Sequence, residues 1–124
     1  PGLVRPGNIL NLSIQWQALK NVGGRYTVGT YLMSPKGVIE AQNDSEPVGG
    51  FWPTNRWKAG DLIRHNVAFV LPNDLPPGHY ALWTVMYLTG DGARLPVSDA
   101  TATTIRDHVE LYSIEVARTG IGIY

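Results

Sequence analysis

The 124-residue chain contains no cysteine. Disulfides, thiolate zinc sites, iron–sulfur clusters and cysteine nucleophiles are therefore all excluded. Charge is scarce and balanced: ten Lys and Arg against ten Asp and Glu, 16% of the chain, with a pI near 7.4. Nucleic-acid or anionic-membrane binding needs a basic excess, so neither partner is expected. No apolar run approaches the roughly 20 residues of a membrane helix, and direct membrane insertion is not expected either. A hydrophobic content of 44% excludes a disordered chain. The chain opens on Pro1-Gly2-Leu3-Val4 rather than on a charged-then-apolar leader, and reads as a segment of a longer protein.

Gly and Pro are plentiful, 14 and 9 residues, and are spread along the whole chain. The segments between them are too short for most helices, and most alternate apolar and polar residues, the strand period. Leu10, Leu12, Ile14 and Trp16 share one face; Asn11, Ser13, Gln15 and Gln17 share the other. Tyr26 to Met33 reads as a second strand. Ser34-Pro35-Lys36-Gly37 is a turn, and Val38 to Gln42 returns as its hairpin partner. Asn43 to Gly60 reads as a long aromatic connection. Leu62 to Leu71 and Tyr80 to Leu88 are strands separated by the stiff Pro76-Pro77-Gly78 turn, which a helix could not cross. Thr89-Gly90-Asp91-Gly92 is a tight turn, and Arg94 to Val97 a short return. Ser98 to Arg118 fits a helical face through Ile105, Val109, Tyr112 and Val116, but β-branched content favours a strand over Val109–Val116. The last residues, 119–124, read as a tail. About seven strands in one domain imply an all-β, two-sheet antiparallel sandwich of immunoglobulin or fibronectin III kind.

The order of these pieces resembles a known family, the β-sandwich tail domain of bacterial membrane glycosyltransferases of the dolichyl-phosphate-mannose-dependent type and of related membrane proteins. The resemblance spans about residues 5 to 118. It is carried by Arg5-Pro6-Gly7 with Leu10, Leu12 and Trp16-Gln17-Ala18, then Tyr26-Thr27-Val28 and Pro35-Lys36-Gly37. Ala41-Gln42-Asn43-Asp44-Ser45, Gly49-Gly50 and Pro53-Thr54-Asn55-Arg56-Trp57-Lys58-Ala59-Gly60 follow. Leu71-Pro72, Leu75-Pro76-Pro77-Gly78-His79-Tyr80 and Arg94-Leu95-Pro96-Val97 complete it. The chain departs from the pattern at His65, where an acid is common, and at Tyr31, where a His is common. The resemblance implies an accessory or interaction domain without catalysis, facing the extracytoplasmic side of a membrane protein. Its partners would be the rest of the parent chain or another protein. The family usually has one more strand before Arg5-Pro6-Gly7. An unpaired sheet edge there would invite pairing between copies, a homodimer.

The residues suggest little chemistry. His65, His79 and His108 lack metal-ligand spacing and read as surface or interface histidines, so no metal or other cofactor is expected. Neither a Gly-x-Ser-x-Gly elbow nor a phosphate loop is present, so no catalytic residue is assigned. Asp44 and Glu46 could act as paired carboxylates, but read more simply as capping or turn residues. The sequons at Asn11 and Asn43 are unpersuasive, Asn11 lying mid-strand. The aromatic connection is the richest feature. Exposed Trp rings offer flat apolar faces to sugars, and Trp52, Arg56 and Trp57 form a candidate glycan site. The alternative for Trp57, implied by its place in the family pattern, is a plug over the end of the core. A third reading makes the Asn43–Gly60 loop a protease-inhibitor-like insertion. On the Tyr80 strand, Trp83 shares parity with Ala81, Val85 and Tyr87, opposite Tyr80, Leu82 and Met86. One of these apolar faces must look outward or toward a partner.

Overall fold

A computed structural model describes residues 3–99 and 104–116. Seven strands follow one another: β1 (Leu3–Val4), β2 (Ile9–Gln17), β3 (Tyr26–Met33), β4 (Ile39–Ser45), β5 (Leu62–Val70), β6 (Gly78–Leu88) and β7 (Val109–Val116). Two short 3-10 turns, Pro47–Gly50 and Thr54–Arg56, interrupt the connection from β4 to β5. The strands form a five-stranded sheet ordered β1-β7-β6-β3-β4 and a two-stranded sheet of β2 and β5. All pairings are antiparallel except that of β1 with β7. The fold is an all-β sandwich.

Period-two patterning builds the smaller sheet directly. β2 and β5 pair through nine consecutive residues, with Leu12 opposite Val67, Ile14 opposite His65 and Trp16 opposite Ile63. Their inner faces meet those of β3, β6 and β7. One buried cluster holds Leu12, Ile14, Val67 and Phe69 with Leu32, Leu82, Ile114 and Val116. A second holds Ile63 with Val28, Met86 and Trp57. Burial of this kind is worth roughly 1.5–3 kcal/mol per large apolar side chain.

The boundary between the clusters is polar. On β3, Thr30 stands between Val28 and Leu32; on β6, Thr84 stands between Leu82 and Met86; on β5, His65 stands between Ile63 and Val67. All three are buried. Thr84 donates to the Gly29 carbonyl at 3.0 Å. The Asn43 amide donates to the Ala68 carbonyl at 3.2 Å, so its Oδ1 accepts from the Ser45 hydroxyl at 3.3 Å. Ser45 Oγ then accepts from Nε2–H of a neutral His65 at 3.1 Å. His65 is thus a core residue, not a surface or interface histidine. Its parity with Ile63, Val67 and Phe69 is the reason.

The strand reading of Val109–Val116 holds, with a bulge at Leu111 where β7 crosses opposite Leu82 and Trp83. β4 runs on through Asn43, Asp44 and Ser45, residues expected in the connection. The Arg94–Val97 return is reduced to isolated bridges, Tyr87 with Arg94 and Val97 with Arg106. The 119–124 tail lies outside the described residues.

Burial holds the His65 imidazole below its ordinary pKa. The unfolded chain therefore takes up a proton near pH ~6.5 before the folded one does. Stability is full above about pH 6.5 and falls as pH drops below it. Urea denaturation at stepped pH measures this. His65→Gln should flatten the acid limb, whereas an NMR titration placing His65 at or above its ordinary pKa would contradict the assignment.

Candidate functional site

Two surfaces gather aromatic and charged side chains. The first is the connection between β4 and β5. It is clamped at its base: Thr54, fully buried, accepts the Tyr26 N–H and donates to the Gly24 carbonyl, both at 2.7 Å. Val22 N–H donates to the Trp57 carbonyl at 3.1 Å. Arg25 Nε meets Glu46 Oε2 at 2.6 Å, which holds the guanidinium above its ordinary pKa. Pro47 and Pro53 are buried.

Above this base the chain turns outward. Val48 sits at φ 53°, in the left-handed region, an outlier for a β-branched residue. Such backbone strain costs of order 1–3 kcal/mol and persists only where surrounding contacts impose it. Phe51 is 87% exposed and Trp52 42%. The Arg56 guanidinium carbon lies 5.9 Å from the Trp52 ring centroid, within cation–π range.

The three residues of the candidate glycan site therefore part company. Trp52 and Arg56 are together at the surface. Trp57 is 3% exposed, packs in the second core cluster, and donates Nε1–H to the Trp52 carbonyl at 3.1 Å. It cannot offer a face to a sugar, so its place in the ligand site is corrected to the core. It remains the post on which Trp52 is mounted.

The second surface is the outer face of the five-stranded sheet. Tyr31, Met33 and Val85 are buried there, with Trp83 and Tyr87 packed against them. Their own neighbours roof them. His108 stacks on Trp83 with centroids 3.8 Å apart and planes at 10°. Trp83 Nε1–H donates to Glu110 at 3.2 Å. Asp107 takes His108 Nδ1 at 2.8 Å and Arg94 Nη1 at 3.1 Å, the imidazole bond first and then the guanidinium holding its pKa low. Arg94 lies 6.0 Å from the Tyr31 ring. Tyr87 donates to Asp44 at 2.7 Å, and burial, then the Asp44 bond and charge, push its pKa up to about 12. Nothing but the parity of Trp83, Val85 and Tyr87 signalled this face. It acts as a satellite core with a polar roof.

The remaining candidates have structural partners. Asp44 binds Tyr87 and Glu46 binds Arg25, so they are not a carboxylate pair; Glu46 does stand at the N-cap of the Pro47–Gly50 turn, though its side chain makes no cap bond there. Asn43 is spent on Ala68. The Ser45–His65 contact has its hydrogen bonds oriented against nucleophile activation, because the serine proton goes to Asn43. Among the described residues no three His, Asp or Glu converge as metal ligands, and no helix is long and apolar enough to cross a membrane. Comparison with protein-family models, curated proteins and solved structures finds no match for the chain in any of the three.

Two outcomes follow for urea denaturation. Trp57→Ala should lose about 3–5 kcal/mol by opening the second cluster, whereas Trp52→Ala should stay within about 0.5 kcal/mol of the parent chain. Equal losses would contradict the division of roles. Separately, Asp44→Asn should let Tyr87 ionise at a lower pH, read by NMR of ring-labelled tyrosine; an unmoved Tyr87 would deny the contact.

Proposed function

We propose that this chain is a non-catalytic recognition module of immunoglobulin-like build, the extracytoplasmic part of a membrane-associated, glycosyltransferase-related protein. The strand order and the corner before β6 support the build. There the Tyr80 hydroxyl donates back to the Pro76 carbonyl at 2.7 Å, in the manner of the tyrosine corner of such sandwiches.

One observation carries the recognition role: Phe51 and Trp52 are exposed on a segment whose base is fixed by Thr54, Trp57 and the Arg25–Glu46 pair. Large apolar side chains held rigidly lose little entropy when a partner covers them. Trp and Arg are the residue types that most often dominate such contacts. The partner on this reading is the rest of the parent chain or another protein. A glycan is the second reading, favoured by the exposed Trp52 ring beside the Arg56 donors. The protease-inhibitor reading draws no support, since the segment coils in two 3-10 turns and leans on the core.

Photocrosslinking tests the first reading. A benzophenone side chain in place of Phe51, in the full-length protein in its membrane, should crosslink to protein, while the same group in place of exposed Lys36 should not. Oligosaccharide-dependent tryptophan fluorescence that vanishes in Trp52→Ala would assign the surface to glycans. Absence of both signals contradicts a recognition role for this segment.

A further inference from the structure

The chain has no net charge, yet the surroundings of Phe51 and Trp52 are basic. The connection from β2 to β3 runs beside the end of the connection from β4 to β5. Ala18 N–H donates to the Asp61 carbonyl, Gly60 N–H to the Ala18 carbonyl and Val22 N–H to the Trp57 carbonyl. The Asn21 side chain accepts Ala59 N–H at 3.0 Å. These two joined segments, 18–26 and 46–61, carry Lys20, Arg25, Arg56 and Lys58 against Glu46 and Asp61. All four basic residues are exposed.

Two guanidinium groups adjoin the aromatic tip. Arg56 lies by the Trp52 ring. Arg25 reaches Gly50, the residue before Phe51: its Nη2 lies 3.8 Å from the place a Cβ on Gly50 would take. Glu46 engages only Nε of Arg25, so among the described residues the Nη groups have no acceptor. Lys20, Arg56 and Lys58 have no ion-pair partner there either; the pairs are Arg25–Glu46 and those of Asp107 with Arg94 and His108. The neighbouring carboxylates bind backbone instead. Asp61 accepts Lys58 N–H and Asp91 accepts Ala93 N–H, both at 2.9 Å.

We infer that the Phe51–Trp52 surface takes an acidic protein partner: a segment that sets an apolar side chain against the two rings and Asp or Glu side chains against the surrounding cations. The inference rests on the recognition reading above and adds the chemistry of the partner to it. Guanidinium groups bind carboxylates through two parallel N–H···O bonds, and the Arg25 Nη groups and Arg56 are open to that geometry. Complementary charge also orients the encounter and rejects basic partners. An anionic bilayer is a poorer occupant. Segments that hold to one use clusters of about four to eight Lys and Arg, whereas here Lys20, Arg56 and Lys58 are the unpaired ones.

The probe is the benzophenone side chain at position 51, in the full-length protein in its membrane. Its protein crosslink, cut and read by mass spectrometry, should map to a stretch in which Asp and Glu outnumber Lys and Arg. Arg56→Gln, Lys20→Glu and Lys58→Glu should each lower the crosslinked fraction about two- to fivefold, the worth of one exposed ion pair. Lys36→Glu, beyond the far end of β3, should leave it unchanged. If a variant fails to fold, salt decides in its place: about 1 M, where screening cuts the reach of a charge to ~3 Å, should lower the yield several-fold. A protein crosslink that maps to a neutral or basic stretch, or that neither charge change nor salt weakens, overturns the acidic partner and leaves the recognition reading standing. Absence of any protein crosslink overturns the inference together with the protein-partner reading. A crosslink to lipid alone would give the tip to the bilayer and overturn both.

Discussion

Two strands must cover the inner face of five. That mismatch governs the molecule. β2 and β5 bring Leu12, Ile14, Ile63, Val67 and Phe69 against Val28, Leu32, Leu82, Met86 and Ile114, and nothing else in the fold stands without that contact. What two strands cannot cover, connections do. Trp57 and Val97 arrive from loops to complete the second cluster, while Leu71 and Leu75 close the first. The outer face of the larger sheet receives its own roof from Arg94, Asp107 and His108. The aromatic side chains Trp57, Trp83, Tyr31 and Tyr87 are thus consumed in covering sheet.

Function then falls to what the covering leaves over. Phe51 and Trp52 project because the loop that delivers Trp57 and Thr54 to the interior must turn back outside it. A cleft lies beside β2 because a narrow sheet ends before the broad one does. Both surfaces are by-products of one architecture. The polar slice of Thr30, Thr84 and His65 has a different consequence: it places a proton-sensitive group in the middle of the interior and ties the smaller sheet to β4 through Ser45.

Much of this was legible in the residues. The β2 and β5 spans follow from alternation alone, because one face of each strand is buried and a slip of one residue would invert it, whereas β3, buried on both faces, is marked by its β-branched and aromatic content instead. His65 was legible by the same rule, but residue type outweighed position and placed it at the surface. The outward face of β6 was visible in the parity of Trp83, Val85 and Tyr87, though its polar roof was not, since Arg94, Asp107 and His108 meet it only through tertiary contacts. β1 is two residues held by β7, too short for any pattern. The extension of β4 depends on His65 and Ala68 satisfying Ser45 and Asn43, partners 20 and 25 residues away. Trp52 and Trp57 share a composition and a loop; only the direction of each side chain separates surface from core.

The shared interior is the claim everything else rests on, and methyl and aromatic NOE spectroscopy addresses it most directly. Cross-peaks should link the Leu12, Val67 and Phe69 side chains of the smaller sheet to Leu32, Leu82 and Ile114 of the larger one. NOEs confined within each sheet, with none between them, would contradict the sandwich and every surface derived from it.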